Sequence, residues 1–154
     1  MNVEYLNPFI EASRNVFKQA VGFDMSIGKL NVKPQAYSVS GVLIVVGIVG
    51  IIKGKAMLFI NKDFACRIAS AMMMGMPVND LDEISKSALA ELSNMILGNT
   101  ATIFYKKGLQ IDITPPSVIQ GDNIEVTSSK QQNVGIPLVC EQGQMELLIS
   151  FVEA

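Results

Sequence analysis

Apolar positions recur with a helical period near the start of the chain. Phe9, Ala12, Val16, Phe17 and Ala20 follow Asn7-Pro8, a pattern that predicts a helix with Asn7 as N-cap and Pro8 at its first position. Gly22 is placed to end it. The pattern then becomes extended, and strands are expected over 24–32, 37–49 and 55–60. The longest apolar run, 42–52, is broken by Gly47 and Gly50. It is shorter than the ~20 residues a membrane helix needs and reads as a strand buried on both faces. A turn near Lys53-Gly54 would make the second and third strands a hairpin. Asn61 or Asp63 then opens a short helix towards Met74, stopped by Gly75 and Pro77.

The most strongly signalled element is the next helix. Asp80 precedes Glu83 by three residues, a variant of the capping box. The helix is expected to run to Tyr105 or Lys106, with Lys106 and Lys107 at its negative end and Gly108 as the stop. At ~100° per residue, Leu81, Ala88, Leu92, Met95, Ile96 and Ile103 form an apolar stripe that should face the core. Four strands follow, near 109–114, 124–128, 134–141 and 144–152. Pro115-Pro116, Gly121-Asp122-Asn123 and Gln142-Gly143 mark turns among them. A helix with three strands, the last two a hairpin, thus comes early. A helix, a lone strand and a final hairpin come late. This weak repeat implies an α+β fold with pseudo-symmetric halves, in which long helices pack on an antiparallel sheet. At 154 residues the chain is expected to form a single domain, 1–154.

Composition narrows the chemistry. Apolar residues make up 49%, charged residues 17%, and the net charge is −2 without a Lys/Arg run. Nucleic acid and membrane surfaces are therefore not expected partners. The chain has no histidine, which removes the commonest general base, the usual triads and most zinc sites. Cys66 and Cys140 stand far apart in apolar surroundings and read as reduced thiols of a cytoplasmic protein, although one disulfide between them stays open. Met72, Met73, Met74 and Met76 read first as adaptable core filling and second as a docking surface. Residues 1–7 lack the pattern of a signal peptide.

The candidate chemistry lies on the long helix. Glu91 and Asn94 are three apart, so their side chains are neighbours on one helix surface, on the flank away from the apolar stripe. Ser87, Ala90, Gly98 and Ala101 surround them with short side chains that let a partner approach the backbone. Gly98 costs roughly 1 kcal/mol relative to Ala in an exposed helix, which fits a need for clearance. Spacing alone is also what ordinary solvated surface shows.

The stretch AELSNMILGN, residues 90–99, resembles the signature helix of the CheC/CheX/FliY family of chemotaxis phosphatases. Those proteins carry Glu-x-x-Asn, an apolar pair and then Gly-Asn. The matching residues are Glu91, Asn94, Met95, Ile96, Gly98 and Asn99. The opening NPFIEASRNVF is similar to the start of CheX-type members. Glu11 and Asn15 are spaced by four and do not repeat the motif, so a single motif points to the CheX type. The resemblance implies a phosphatase acting on the aspartyl phosphate of a CheY-like receiver domain. In that role Asn94 orients the attacking water and Glu91 engages the receiver's lysine. The chain would need no cofactor of its own, because Mg²⁺ comes with the receiver. The resemblance also implies a homodimer joined through sheet edges. Two other readings remain: a non-catalytic module that binds a receiver or a flagellar switch component, and a structural or small-ligand domain without a receiver partner.

Overall fold

The fold is described from a computed structural model, which places residues 2–128 and 132–153. The first helix, α1 (Asn7–Val16), is led in by a 3-10 turn at Val3–Tyr5 and continues as a wider π turn at Phe17–Val21. Asn7 is not its cap. The preceding residue, Leu6, is already in the right-handed helical region, so Asn7 lacks the extended backbone from which a side chain folds back onto the first turn. Gly22 ends the helix in the left-handed region at φ 82°, as glycine at that position should.

The expected strand over 24–32 is two short ones, β1 (Ser26–Ile27) and β2 (Asn31–Lys33), both antiparallel to β7. β3 (Ala36–Gly50) and β4 (Ile52–Ile60) form the expected hairpin, but its tip is at Ile51. Gly50 turns the chain at φ 132°. Gly54 instead lies inside β4, where a Cβ would overlap the backbone of Ser150 and Phe151 on β8. α2 (Lys62–Met72) starts at Asn61, whose side chain accepts from the Phe64 N–H at 2.8 Å. α3 (Glu83–Lys106) follows. β5 (Ile111–Ile113), β6 (Ser117–Thr127), β7 (Asn133–Cys140) and β8 (Gly143–Glu153) complete the chain. β6 begins well before the expected 124–128 and runs straight through Gly121-Asp122-Asn123. A bulge between Val39 and Gly41 of β3 absorbs the irregularity there. Asn123 takes φ 59°, and its N–H donates to Ser40 Oγ at 3.0 Å.

All eight strands form one curled antiparallel sheet in the order β1/β2–β7–β8–β4–β3–β5/β6. The order shows the internal repeat. The β3–β4 and β7–β8 hairpins meet at the central β4·β8 pair. The lone strands exchange sides: β1 and β2 from the first half pair with β7, and β5 and β6 from the second pair with β3. One sheet face carries Ile44, Leu58, Leu147 and Ile149 against Phe9, Phe17, Phe64, Leu92, Ile96 and Phe104 of the helical layer, all in the main core. α1 and α3 pack on each other, with the Phe9 and Phe104 rings edge to face at 5.9 Å. On the opposite sheet face a smaller cluster of Leu43, Met57 and Leu148 is covered by Val126 and Tyr37 of the curled β3–β6 ends. Burial there, with Glu146 nearby, pushes the Tyr37 phenol up to about 12. The α+β architecture with pseudo-symmetric halves is as the sequence implies.

Candidate functional site

α3 positions the candidate residues, and its start is fixed by a cap two residues later than expected. Asp82, in extended backbone, accepts from the Ser85 N–H at 2.8 Å. Ser85 Oγ in turn accepts from the Asp82 N–H at 2.8 Å. This reciprocal box satisfies two of the helix's otherwise unpaired donors. The hydrogen bonds from Ser85 hold the Asp82 carboxyl below the usual carboxylate range. Asp80 has a different task. Its carboxylate meets Lys62 Nζ at 2.9 Å, tying the loop before α3 to the start of α2, and that contact lowers its pKa.

The core-facing side of α3 keeps Leu92 and Ile96 of the expected stripe, with Leu81 buried just before the helix, but is not the whole of it. Leu89, Leu92, Ile96, Leu97 and Phe104 are buried together with Ser85, Ser93 and Thr100. Ala88 and Ile103 are only half-buried, and Met95 is 36% exposed. Small hydroxyl residues take core positions because α1 lies against this side. Thr100 Oγ1 donates to the Ile96 carbonyl at 2.8 Å and, on α1, Ser13 Oγ donates to the Phe9 carbonyl at 2.7 Å. Both hydroxyls satisfy themselves on their own helix and leave slim surfaces for close packing.

With the buried side so defined, Glu91 lies at the middle of the opposite, outward side. Successive residues turn by ~100°, which puts Gly98 about 20°, Ser87 about 40° and Asn94 about 60° from it, all on one flank. Glu91, Asn94 and Ser87 are exposed; Gly98, Ala90 and Ala101 are half-buried. Ala101 also touches the main core, so it borders the site rather than standing clear in it. The Cβ atoms of residues three apart on a helix are ~5–6 Å from each other. Glu91 and Asn94 therefore present a carboxylate and a carboxamide side by side. Neither makes a side-chain hydrogen bond or ion pair among the described residues. The nearest cation in sequence, Lys86, contacts Glu83 at 3.8 Å instead. A Cβ built on Gly98 would meet nothing within 4 Å, so no packing inside the chain calls for glycine there.

The site is an exposed ridge of helix surface. A groove of about 540 Å³ lies elsewhere, beside α2, lined by Cys66, Arg67, Ser70 and Asn79; it includes neither Glu91 nor Asn94. Burial pushes the Cys66 thiol up, against the form needed for reactivity. Both cysteines are free thiols. Met74 and Met76 are 97% and 60% exposed, so the methionine cluster is largely outside the core it was expected to fill. Among the described residues, no group of three or more His, Cys, Asp or Glu could hold a metal ion. No helix among the described residues is long and apolar enough to cross a membrane. Two residues on the ridge escaped the sequence reading. Ile84 and Tyr105, 65% and 75% exposed, lie in the same outward sector as Glu91. The available signal was the scarcity of charge along α3.

Comparison with known proteins gives a family match and several close folds. Residues 42–139 match the family described as chemotaxis phosphatase CheX. The CheY-P phosphatase CheX of Thermotoga maritima is 31% identical over 128 residues, covering 83% of each chain. A CheC-like superfamily protein from Shewanella sp. PV-4 superposes with a TM-score of 0.88 at 27% identity, covering 99% of each chain. The CheX–CheY–BeF3–Mg²⁺ complex from Borrelia burgdorferi contains a chain with TM-score 0.82 and 26% identity. That match covers 99% of the present chain and 100% of the other.

Proposed function

The chain belongs to the CheX family of chemotaxis phosphatases, and from that premise we propose that it hydrolyses the aspartyl phosphate of a CheY-like receiver domain. The observation that carries the reading is the pair Glu91–Asn94. It is exposed at the centre of the outward side of α3, makes no side-chain hydrogen bond or ion pair among the described residues, and has Gly98 beside it in open space. A phosphatase whose substrate is a folded protein needs a projecting surface that enters the partner's site, and a ridge supplies one.

In this reading Asn94 enters the receiver's phosphorylation site. Its carboxamide offers both donors and an acceptor, so it can hold a water in line with the phosphorus without adding negative charge beside the phosphoryl group. The water's oxygen bonds to phosphorus as the bond to the aspartate oxygen breaks, giving inorganic phosphate and a free carboxylate on the receiver. Phosphoryl transfer asks for positioning and charge stabilisation more than covalent help, which suits a site without histidine or an activated thiol. Glu91 engages the receiver's lysine. Among the described residues its carboxylate has no cation of its own to give up, and a charge-assisted contact in a closed interface is stronger than one in water. The described residues do not offer a metal cluster. Mg²⁺ accompanies CheY in the Borrelia burgdorferi complex, and we assign it to the receiver here. Ser87, Ala90, Gly98 and Ala101 give the receiver clearance around the pair.

The same reading places the whole chain in the cytoplasm as one working unit, as a homodimer joined at sheet edges. β6 is eleven residues long and pairs only with β3 among the described residues, which leaves one of its edges to a partner strand. The function is tested by loading a CheY-type receiver of the same organism with acetyl phosphate and Mg²⁺ and following phosphate release. Acceleration on adding the protein supports the proposal. Unchanged release from every receiver tried would overturn it in favour of a binding module.

A further inference from the structure

We infer that Ile84, Met95 and Tyr105 are the apolar anchors by which the outward side of α3 selects its receiver domain, an inference that rests on the function proposed above. The first observation is chemical. Between Ile84 and Tyr105 the chain has two charged residues, Lys86 and Glu91, and Lys86 points aside to Glu83. The solvent side of a helix ordinarily carries its charges. Between Glu83 and Lys106 at its two ends, this one carries a single carboxylate, small or neutral polar residues, and three large side chains exposed by 65% at Ile84, 36% at Met95 and 75% at Tyr105. Scattered exposed apolar residues are ordinary. Their gathering on one side with charge removed is the composition of an interface centre, where aromatic residues and methionine are enriched and charged residues depleted.

The second observation is spatial. A standard interface covers ~800 Å² per partner, a disc about 16 Å in radius. At ~1.5 Å rise per residue, Ile84 lies about 13 Å on the N-terminal side of the midpoint between Glu91 and Asn94. The Tyr105 backbone lies roughly 19 Å on the other side, so Ile84 and Tyr105 stand about 32 Å apart along the helix, the diameter of such a disc. Met95 adjoins Asn94. The anchors therefore bracket the pair within one receiver-sized footprint. The occupant is the receiver because the same surface presents the pair that acts on it, and a second copy docked there would cover Glu91 and Asn94. Anchors placed away from the reacting atoms contribute to substrate binding equally before and during the reaction, so they act on KM and leave kcat in place.

The test uses the full chain and a receiver loaded with beryllofluoride and Mg²⁺. We expect Ile84→Ser and Tyr105→Ala each to weaken binding about tenfold, to raise KM for phosphate release by the same factor, and to leave kcat within about twofold. Tyr105→Phe should restore most of the affinity. Both side chains are exposed, so melting temperatures should stay at the wild-type value. Unchanged Kd and KM in both variants overturn the inference. So does a change in oligomeric mass with receiver affinity intact, which assigns the surface to a second copy. Failure of the underlying function reads differently: the wild type then binds the loaded receiver but does not speed phosphate release.

Discussion

Replacing Gly98 by alanine should move stability and activity in opposite directions. Gly98 sits in the interior of a 24-residue helix, where glycine is less favourable than alanine by roughly 1 kcal/mol because its backbone loses more freedom on folding. The added Cβ would meet nothing within 4 Å, so no clash offsets the gain. A gain of ~1 kcal/mol corresponds to a rise in Tm of about 2–4 °C for a chain of this size. In the proposed receiver interface the same methyl group would stand on the flank of Glu91 and Asn94, where a closely approaching partner would leave no room. Overpacking a fitted contact costs about 1–3 kcal/mol, which predicts phosphate release slowed at least fivefold at sub-saturating receiver. Thermal unfolding by circular dichroism and phosphate release on one preparation check both halves. A stabilised variant with wild-type activity would refute the clearance argument. A destabilised variant would show that the fold itself uses Gly98.

Three further outcomes follow from the fold. Ser85→Ala removes one arm of the cap on α3 and should lower stability by ~1 kcal/mol in urea unfolding; an unchanged midpoint would contradict the cap. The Asp82 carboxyl has a folded pKa below its ordinary 3.8. Its stabilising contribution is therefore complete above the unfolded value and is lost as pH falls through the lower folded value. The stability difference between wild type and Asp82→Asn should thus shrink on acidification below pH ~4, and a difference that grows there would reverse the sign. Gly143→Ala, at the start of β8, places a Cβ against the Phe64 ring and should cost about 2 kcal/mol or more; a melting temperature equal to wild type would show that the ring moves aside freely.

Much of this architecture was legible in the residues because patterning, caps and turns agreed. The β3–β4 and β7–β8 hairpins, the extent of α3 and the repeat came from periodicity, and the exposure of Glu91 and Asn94 followed from their spacing. What misled was glycine and polarity serving tertiary needs. Gly54 looked like a turn but is inside β4, where the backbone of β8 comes too close for a Cβ. Gly121-Asp122-Asn123 looked like a break, but a bulge in β3 and the Ser40 hydroxyl carry β6 through it. On α3, apolarity alone points Met95 to the core and Ser93 away from it. The packing of α1 put Ser93 and Thr100 inside and left Met95 at the surface. The same criterion conceals Ile84 and Tyr105. Apolar residues on both sides of a helix cancel in any one-sided pattern, and only the contact with α1 resolves which side is core.

The most direct test of the central claim is single-turnover loss of phosphate from a phosphorylated CheY-type receiver saturated with either wild type or Asn94→Ala, with binding measured alongside. Asn94 is exposed and its side chain makes no hydrogen bond among the described residues, so the variant should fold and bind the receiver as the wild type does. The account predicts that its rate drops towards that of the receiver alone. Wild-type hydrolysis by Asn94→Ala at saturation would contradict it.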